Sequence, residues 1–153
     1  MSNQNYAYAN AAFLKGEINW LSDNIKVALL NPSYTGGNIA ISGDIYFTAI
    51  APYILVGSTP IKTLTGKSVN VGSSYGITNA AAVTFSSLSA SQILGYLCIF
   101  KDPDINNTDG APSSGNQGIS QLIHLIDSGY MIGTGTDGGD IEVIWNTSGI
   151  FNL

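Results

Sequence analysis

The sequence predicts a mainly β protein: an antiparallel β-sandwich or barrel-like domain with one short N-terminal helix and an extended arm or long loop. Three observations carry this. Short runs rich in β-branched and aromatic residues recur along the chain, punctuated by Gly, Pro, Asn, Asp and Ser. Charged residues make up only 10% of the chain, and Ser, Thr, Asn and Gly supply the polarity instead; these types compete with helical backbone bonding or weaken it. One run, "SQILGYLCIFKD" over 91–102, is apolar on both faces, as a central strand covered on both sides must be.

The elements follow in order. Residues 5–20, "NYAYANAAFLKGEINW", place Ala7, Ala11, Phe13 and Leu14 near helical spacing, and Gly16 suits a helix end. "DNIKVALLN" reads as a strand stopped at Asn31-Pro32, with Ile25, Val27 and Leu29 on one face and Lys26 marking an exposed face. "PSYTGGNIAISGD" is a turn-rich loop or short ribbon. In 45–56, "IYFTAIAPYILV", Pro52 removes a ladder donor, so an edge strand or a projecting arm fits better than a central strand. Alternation marks strands around Ile61–Thr63, at Val69 and Val71, and in "AAVTF". After the central run comes a polar stretch, "PDINNTDGAPSSGNQG", expected to be an exposed and mobile loop over 102–118. "SQLIHLIDSG", "GYMIG" and "DIEVIWN" are the last strands. No repeat at a fixed period is present. The 153 residues fit one domain, 1–153, with a projecting segment near 38–60.

Charge narrows the function classes. The chain has five lysines, no arginine and a net charge of −5. Nucleic-acid binding needs a dense positive footprint, so no nucleic-acid partner is expected. No apolar run approaches the roughly 20 residues that span a bilayer, and the N-terminus lacks the charged and apolar regions of a signal peptide; no membrane partner is expected, and synthesis is placed in the cytoplasm. The single cysteine, Cys98, reads as a small buried residue.

Three motifs could carry chemistry. "GTGTDGGD", residues 133–140, could be a calcium loop, a phosphate cradle or a hairpin turn. It lacks the P-loop lysine and the tandem calcium repeat, and Asp-Gly supplies the positive φ angles of a primed turn, so the hairpin is preferred. Asp102, Asp104 and Asn106 are spaced like the start of an EF-hand loop, but Asn107 stands where glycine is needed and Ser113 where glutamate is needed, so solvated turn chemistry is preferred and a weak calcium site is the alternative. His124, the only histidine, is expected to be a hydrogen-bonded packing or interface residue. No nucleophile, base and oxyanion site assembles from these residues, so no enzyme, metal or cofactor is expected. Tyrosines and apolar neighbours in polar surroundings, Tyr6, Tyr8, Tyr46, Phe47, Tyr53 and Ile54, are the interface candidates, with a place in the core as the alternative.

The order of several phrases resembles a family of small virion proteins from tailed bacteriophages. "DNIKVALLNPSY" follows "Y…FLKGEINW"; "LTGKSV" precedes "NAAAVTFSSLSASQILGYLCIFKD"; the end reads "LIHLIDSG…GGDIEVIWNTSGIFNL". Together they cover the chain from about residue 13 to 153; it departs from those relatives between 38 and 60, where they are more charged. The resemblance implies a capsid decoration (cement) protein that binds the major capsid protein on the outer capsid surface. It would assemble as a dimer or trimer of itself. A tail or fibre component, or a carbohydrate-binding β-sandwich, are the alternatives.

Overall fold

The computed structural model describes residues 3–34, 43–128, 131–132 and 139–153. The chain is mainly β, with antiparallel pairing throughout and one α-helix among the described residues. Its largest sheet has the order β1-β8-β7-β2-β3, with β1 at Gln4–Asn5, β2 at Asn24–Leu30, β3 at Ile61–Thr63, β7 at Tyr96–Asp102 and β8 at Gln121–Ile126. A three-stranded sheet, β6-β10-β9, joins Val83–Phe85, Ile141–Ile144 and Met131–Ile132, and β4 (Ser68–Val71) pairs with β5 (Gly76–Asn79). Among the described residues no sheet closes on itself, so the barrel-like expectation is not met.

The middle of the large sheet follows from its sequence. β2 is buried at all seven positions, and β7 pairs with it from Asn24↔Asp102 to Leu30↔Tyr96. The two-sided apolar run thus lies between β2 and β8, although its first residues, 91–95, are not strand. Gly95 marks the entry to β7. Its N–H donates to the Leu30 carbonyl at 2.8 Å, and a Cβ there would sit 2.5 Å from the Pro32 Cα. Backbone meets backbone at that point, which only glycine permits.

The sheet edges are short, which limits exposed ladder groups. β1 is two residues long and β3 three. The outer edge of β8 is completed by a second segment: Tyr46 bridges Gln121, and the Leu122 N–H donates to the Ile45 carbonyl. The segment expected to project therefore does not do so in its described part, 43–60. It forms two 3-10 turns, Phe47–Ala49 and Ala51–Tyr53, and buries Phe47, Ile50 and Leu55. Pro52 sits in the first positions of the second turn, where its fixed φ is tolerated and no ladder bond is needed.

The helix, α1, spans Ala7–Leu14 and is shorter than the pattern suggests. Gly16 ends it at φ +74°. The Gly16 N–H donates to Phe13 O and the Glu17 N–H to Ala12 O, the paired bonds of a Schellman cap. Side chains of α1, β2, β3, β6, β7, β8, β10 and the C-terminal segment meet in one core that includes Ile25, Leu29, Phe85, Ile99, Ile123, Ile141 and Phe151. Ile141 and Val143 of β10 face this core while Glu142 and Ile144 face outward, the alternation of a strand covered on one side. β9 and β10 pair antiparallel as a hairpin requires; six residues of the glycine-rich stretch between them, 133–138, lie outside the described residues, as does the predicted ribbon over 35–42.

Candidate functional site

The Asp/Asn loop after β7 is filled by the chain's own cation. Asn24 and Lys26 of β2 share a sheet face with Asp102 of β7, because cross-strand partners point the same way. Lys26 Nζ lies 3.0 Å from Asp102 Oδ2, and both side chains are fully buried. The ammonium also donates to the Gly110 carbonyl at 3.0 Å, and Asn24 Nδ2 donates to the carbonyls of Asp104 and Asn107 at 2.6 and 2.7 Å. Asn107 Nδ2 donates to Asp102 Oδ2 at 2.8 Å. Lys26 is thus not on an exposed face; the loop over 103–111 curls across it, and a carboxylate compensates its buried charge. The remaining acids of the loop serve turns and pairs: Asp104 Oδ1 accepts from the Asn106 N–H, and Asp109 binds Lys62 at 2.9 Å. The loop is exposed over most of its length, but these bonds pin it to β2 and β3. Among the described residues no group of three or more His, Cys, Asp or Glu converges as a metal site would require.

A second site is a groove of about 410 Å³ between β1, β8 and the C-terminal segment. His124, Asn3, Asn5, Trp145, Asn146 and Asn152 contribute to its lining. Asn5 Nδ2 donates to the Asn152 carbonyl at 3.0 Å, which turns Asn5 Oδ1 toward His124 Nδ1 at 2.6 Å. Nδ1 therefore carries the proton, and Nε2 holds a lone pair that is buried without a partner among the described residues. Burial lowers the imidazole to about 4, so it is neutral at pH 7. Its ring stacks on Phe151 with centroids 5.1 Å apart. This matches the expected hydrogen-bonded packing histidine. Among the described residues no carboxylate lines the groove, and its polar groups are amides, hydroxyls, the imidazole and an indole.

A third feature is a groove floored by Phe13, Ile18 and Trp20, about 280 Å³ in volume. Its rim carries large apolar side chains that face solvent: Leu21 is 56% exposed, Val69 50% and Leu153 48%. Val71, two residues along the same face of β4, is 95% exposed. None of these was among the interface candidates, because alternation in a short strand does not say whether either face is covered. The candidates themselves divide. Tyr8 and Tyr46 are exposed and Tyr53 and Ile54 half-buried. Tyr6 and Phe47 are core residues and are corrected as such: Tyr6 Oη meets Tyr34 Oη at 2.9 Å, and Phe47 packs on Phe100 with centroids 4.9 Å apart. Tyr34 in turn donates to Asp44. Cys98 is buried beneath Tyr6, and burial pushes its thiol up to about 12, so it is inert as expected.

Every lysine is engaged: Lys15 with Glu17, Lys26 with Asp102, Lys62 with Asp109, Lys101 with Asp23, and Lys67 with the Asp23 carbonyl. Among the described residues no helix is long and apolar enough to cross a membrane. Comparison with known proteins finds no matching family model, no matching curated protein and no matching solved structure.

Proposed function

We propose that this chain works through surface contact, as a decoration protein on the outer face of a tailed-bacteriophage capsid. It binds the major capsid protein, bridges neighbouring capsomers and assembles with itself as a dimer or trimer. The observation that supports a contact role is the apolar rim of Leu21, Val69 and Leu153 around the Trp20 groove, with exposed Val71 farther along the same strand. Exposed apolar side chains gathered at one groove are characteristic of docking surfaces. The phage assignment itself rests on the order of phrases in the sequence. The five-stranded and three-stranded sheets would form the two layers of a sandwich around the shared core.

The test is binding to capsid shells stripped of accessory proteins. The chain is expected to bind with a copy number near that of the major capsid protein. The double variant Leu21→Asp/Val69→Asp is expected to bind at least tenfold more weakly, the scale of losing one apolar anchor worth over about 1.4 kcal/mol. A few copies per particle would move the protein to the tail. Undiminished binding of a folded double variant would reject the rim as the contact.

The uncharged groove at His124 supports a second reading, a carbohydrate-binding sandwich. Amides, hydroxyls and an indole are the groups that neutral sugars use. A glycan array with no binding removes that reading.

A further inference from the structure

We infer that Lys26 and Asn107 form an intramolecular isopeptide bond, with Asp102 as the proton carrier. Three groups are needed for this reaction: an amine, a carboxamide and a carboxyl group that touches both. The structure sets the amine and the carboxamide nitrogen on the same carboxylate oxygen. Asp102 Oδ2 lies 3.0 Å from Lys26 Nζ and 2.8 Å from Asn107 Nδ2. Both separations are within proton-transfer reach. The Lys26 and Asp102 side chains are fully buried, so water does not compete for the amine.

The surroundings hold the partners in place. Asn24 Nδ2 grips the Asn107 carbonyl at 2.7 Å, fixing the loop backbone against β2. Asn107 Nδ2 also donates to the Ala111 carbonyl at 3.1 Å, which sets the amide's orientation. The nitrogen that must leave is therefore the one bonded to the proton carrier. Lys26 Nζ is steadied by Gly110 O at 3.0 Å. Such pre-positioning replaces a bimolecular encounter with a local one.

The step balances without an added reagent. The Lys26 ammonium gives a proton to Asp102 Oδ2 and becomes a neutral amine. Nζ attacks Asn107 Cγ, forming a C–N bond and a tetrahedral centre. A second proton passes from Nζ to Nδ2, and the Cγ–Nδ2 bond breaks. Ammonia departs and takes up the proton held by Asp102 as ammonium, which restores the carboxylate. The product is a secondary amide joining the middle of the sheet to the loop after β7. This does not rest on the capsid reading.

Intact mass spectrometry of the purified, folded full chain tests it. The mass is expected to be lower than the sequence mass by about 17 Da, one ammonia. Trypsin should then fail to cut after Lys26, and tandem spectra should join that residue to the fragment beginning at Asp102. Lys26→Arg, Asp102→Ala and Asn107→Ala are each expected to restore the full mass. Because the wild-type chain carries the primary readout, a variant that fails to fold does not affect it. Full sequence mass in aged folded protein would overturn the inference. So would a loss of ammonia at Asn107 with Lys26 still cleavable, or a loss of water joining Lys26 to Asp102.

Discussion

At the residue scale, His124 shows how burial sets chemistry. Its imidazole is lowered to about 4 because burial strips hydration from the charged form. The unfolded chain has an ordinary histidine near 6.5. Between about 6.5 and 4 the unfolded state therefore binds a proton that the folded state refuses. Stability contributed by neutral His124 is complete above 6.5 and falls as pH drops toward 4, by up to about 3 kcal/mol. His124→Gln is expected to flatten that slope, read from urea midpoints across the window; an unchanged slope would place the pH dependence elsewhere. The histidine's type of role is legible from its strand and its isolation from other catalytic groups. Its partner is not: Asn5 is 119 residues away, and no local pattern links the two. Lys26 misleads for a related reason. Alternation marks a polar residue as outward, yet here that side is covered by the loop after β7, which supplies Gly110 O, while Asp102 of β7 itself supplies the carboxylate.

At the element scale, α1 is eight residues long and its N-cap, Tyr6, provides no side-chain bond. An isolated helix shorter than about 12 residues is marginal in water. It stands because Ala9 and Ala12 are buried and because its C-terminus is closed by Gly16. A Cβ added at Gly16 would point into open space, so a substitution there meets strain from φ alone. Gly16→Ala is expected to cost about 1 kcal/mol, measured as a shift in the denaturation midpoint at constant slope. A loss several times larger would mean that the cap also orients the chain leading to Trp20. Gly16 as a stop is readable in the sequence, and so are β2, β7, β8 and β10, whose runs are long or cleanly alternating. Residues 45–56 are not. Their composition favours strand, Pro52 forbids a central one, and the result, two 3-10 turns against the core, is decided by the need to cover β8 and Phe100.

At the scale of the whole molecule, the C-terminal segment joins parts that are distant in sequence. The Phe151 ring meets Phe13 at 6.0 Å, Trp20 at 5.2 Å and His124 at 5.1 Å. Its backbone carbonyl accepts from Thr78 of β5. Both tryptophans anchor where β5 runs toward β6: Trp20 Nε1 donates to the carbonyl of Asn79, the last residue of β5, and Trp145 Nε1 to Ala81 O in the linker. Trp20 reports on the helix side and Trp145 on the three-stranded sheet, which continues into it from β10. If one core holds both, they cannot unfold separately. The single-tryptophan variants Trp20→Phe and Trp145→Phe are expected to give fluorescence transitions coincident with circular dichroism in each case. Phe151→Ala, added to either, removes a nearly buried aromatic side chain and should cost about 3–5 kcal/mol. The decisive comparison is between the two probes. Equal losses at Trp20 and Trp145 follow if Phe151 ties a single cooperative unit, whereas a loss seen by Trp20 alone would divide the molecule at the β5–β6 linker.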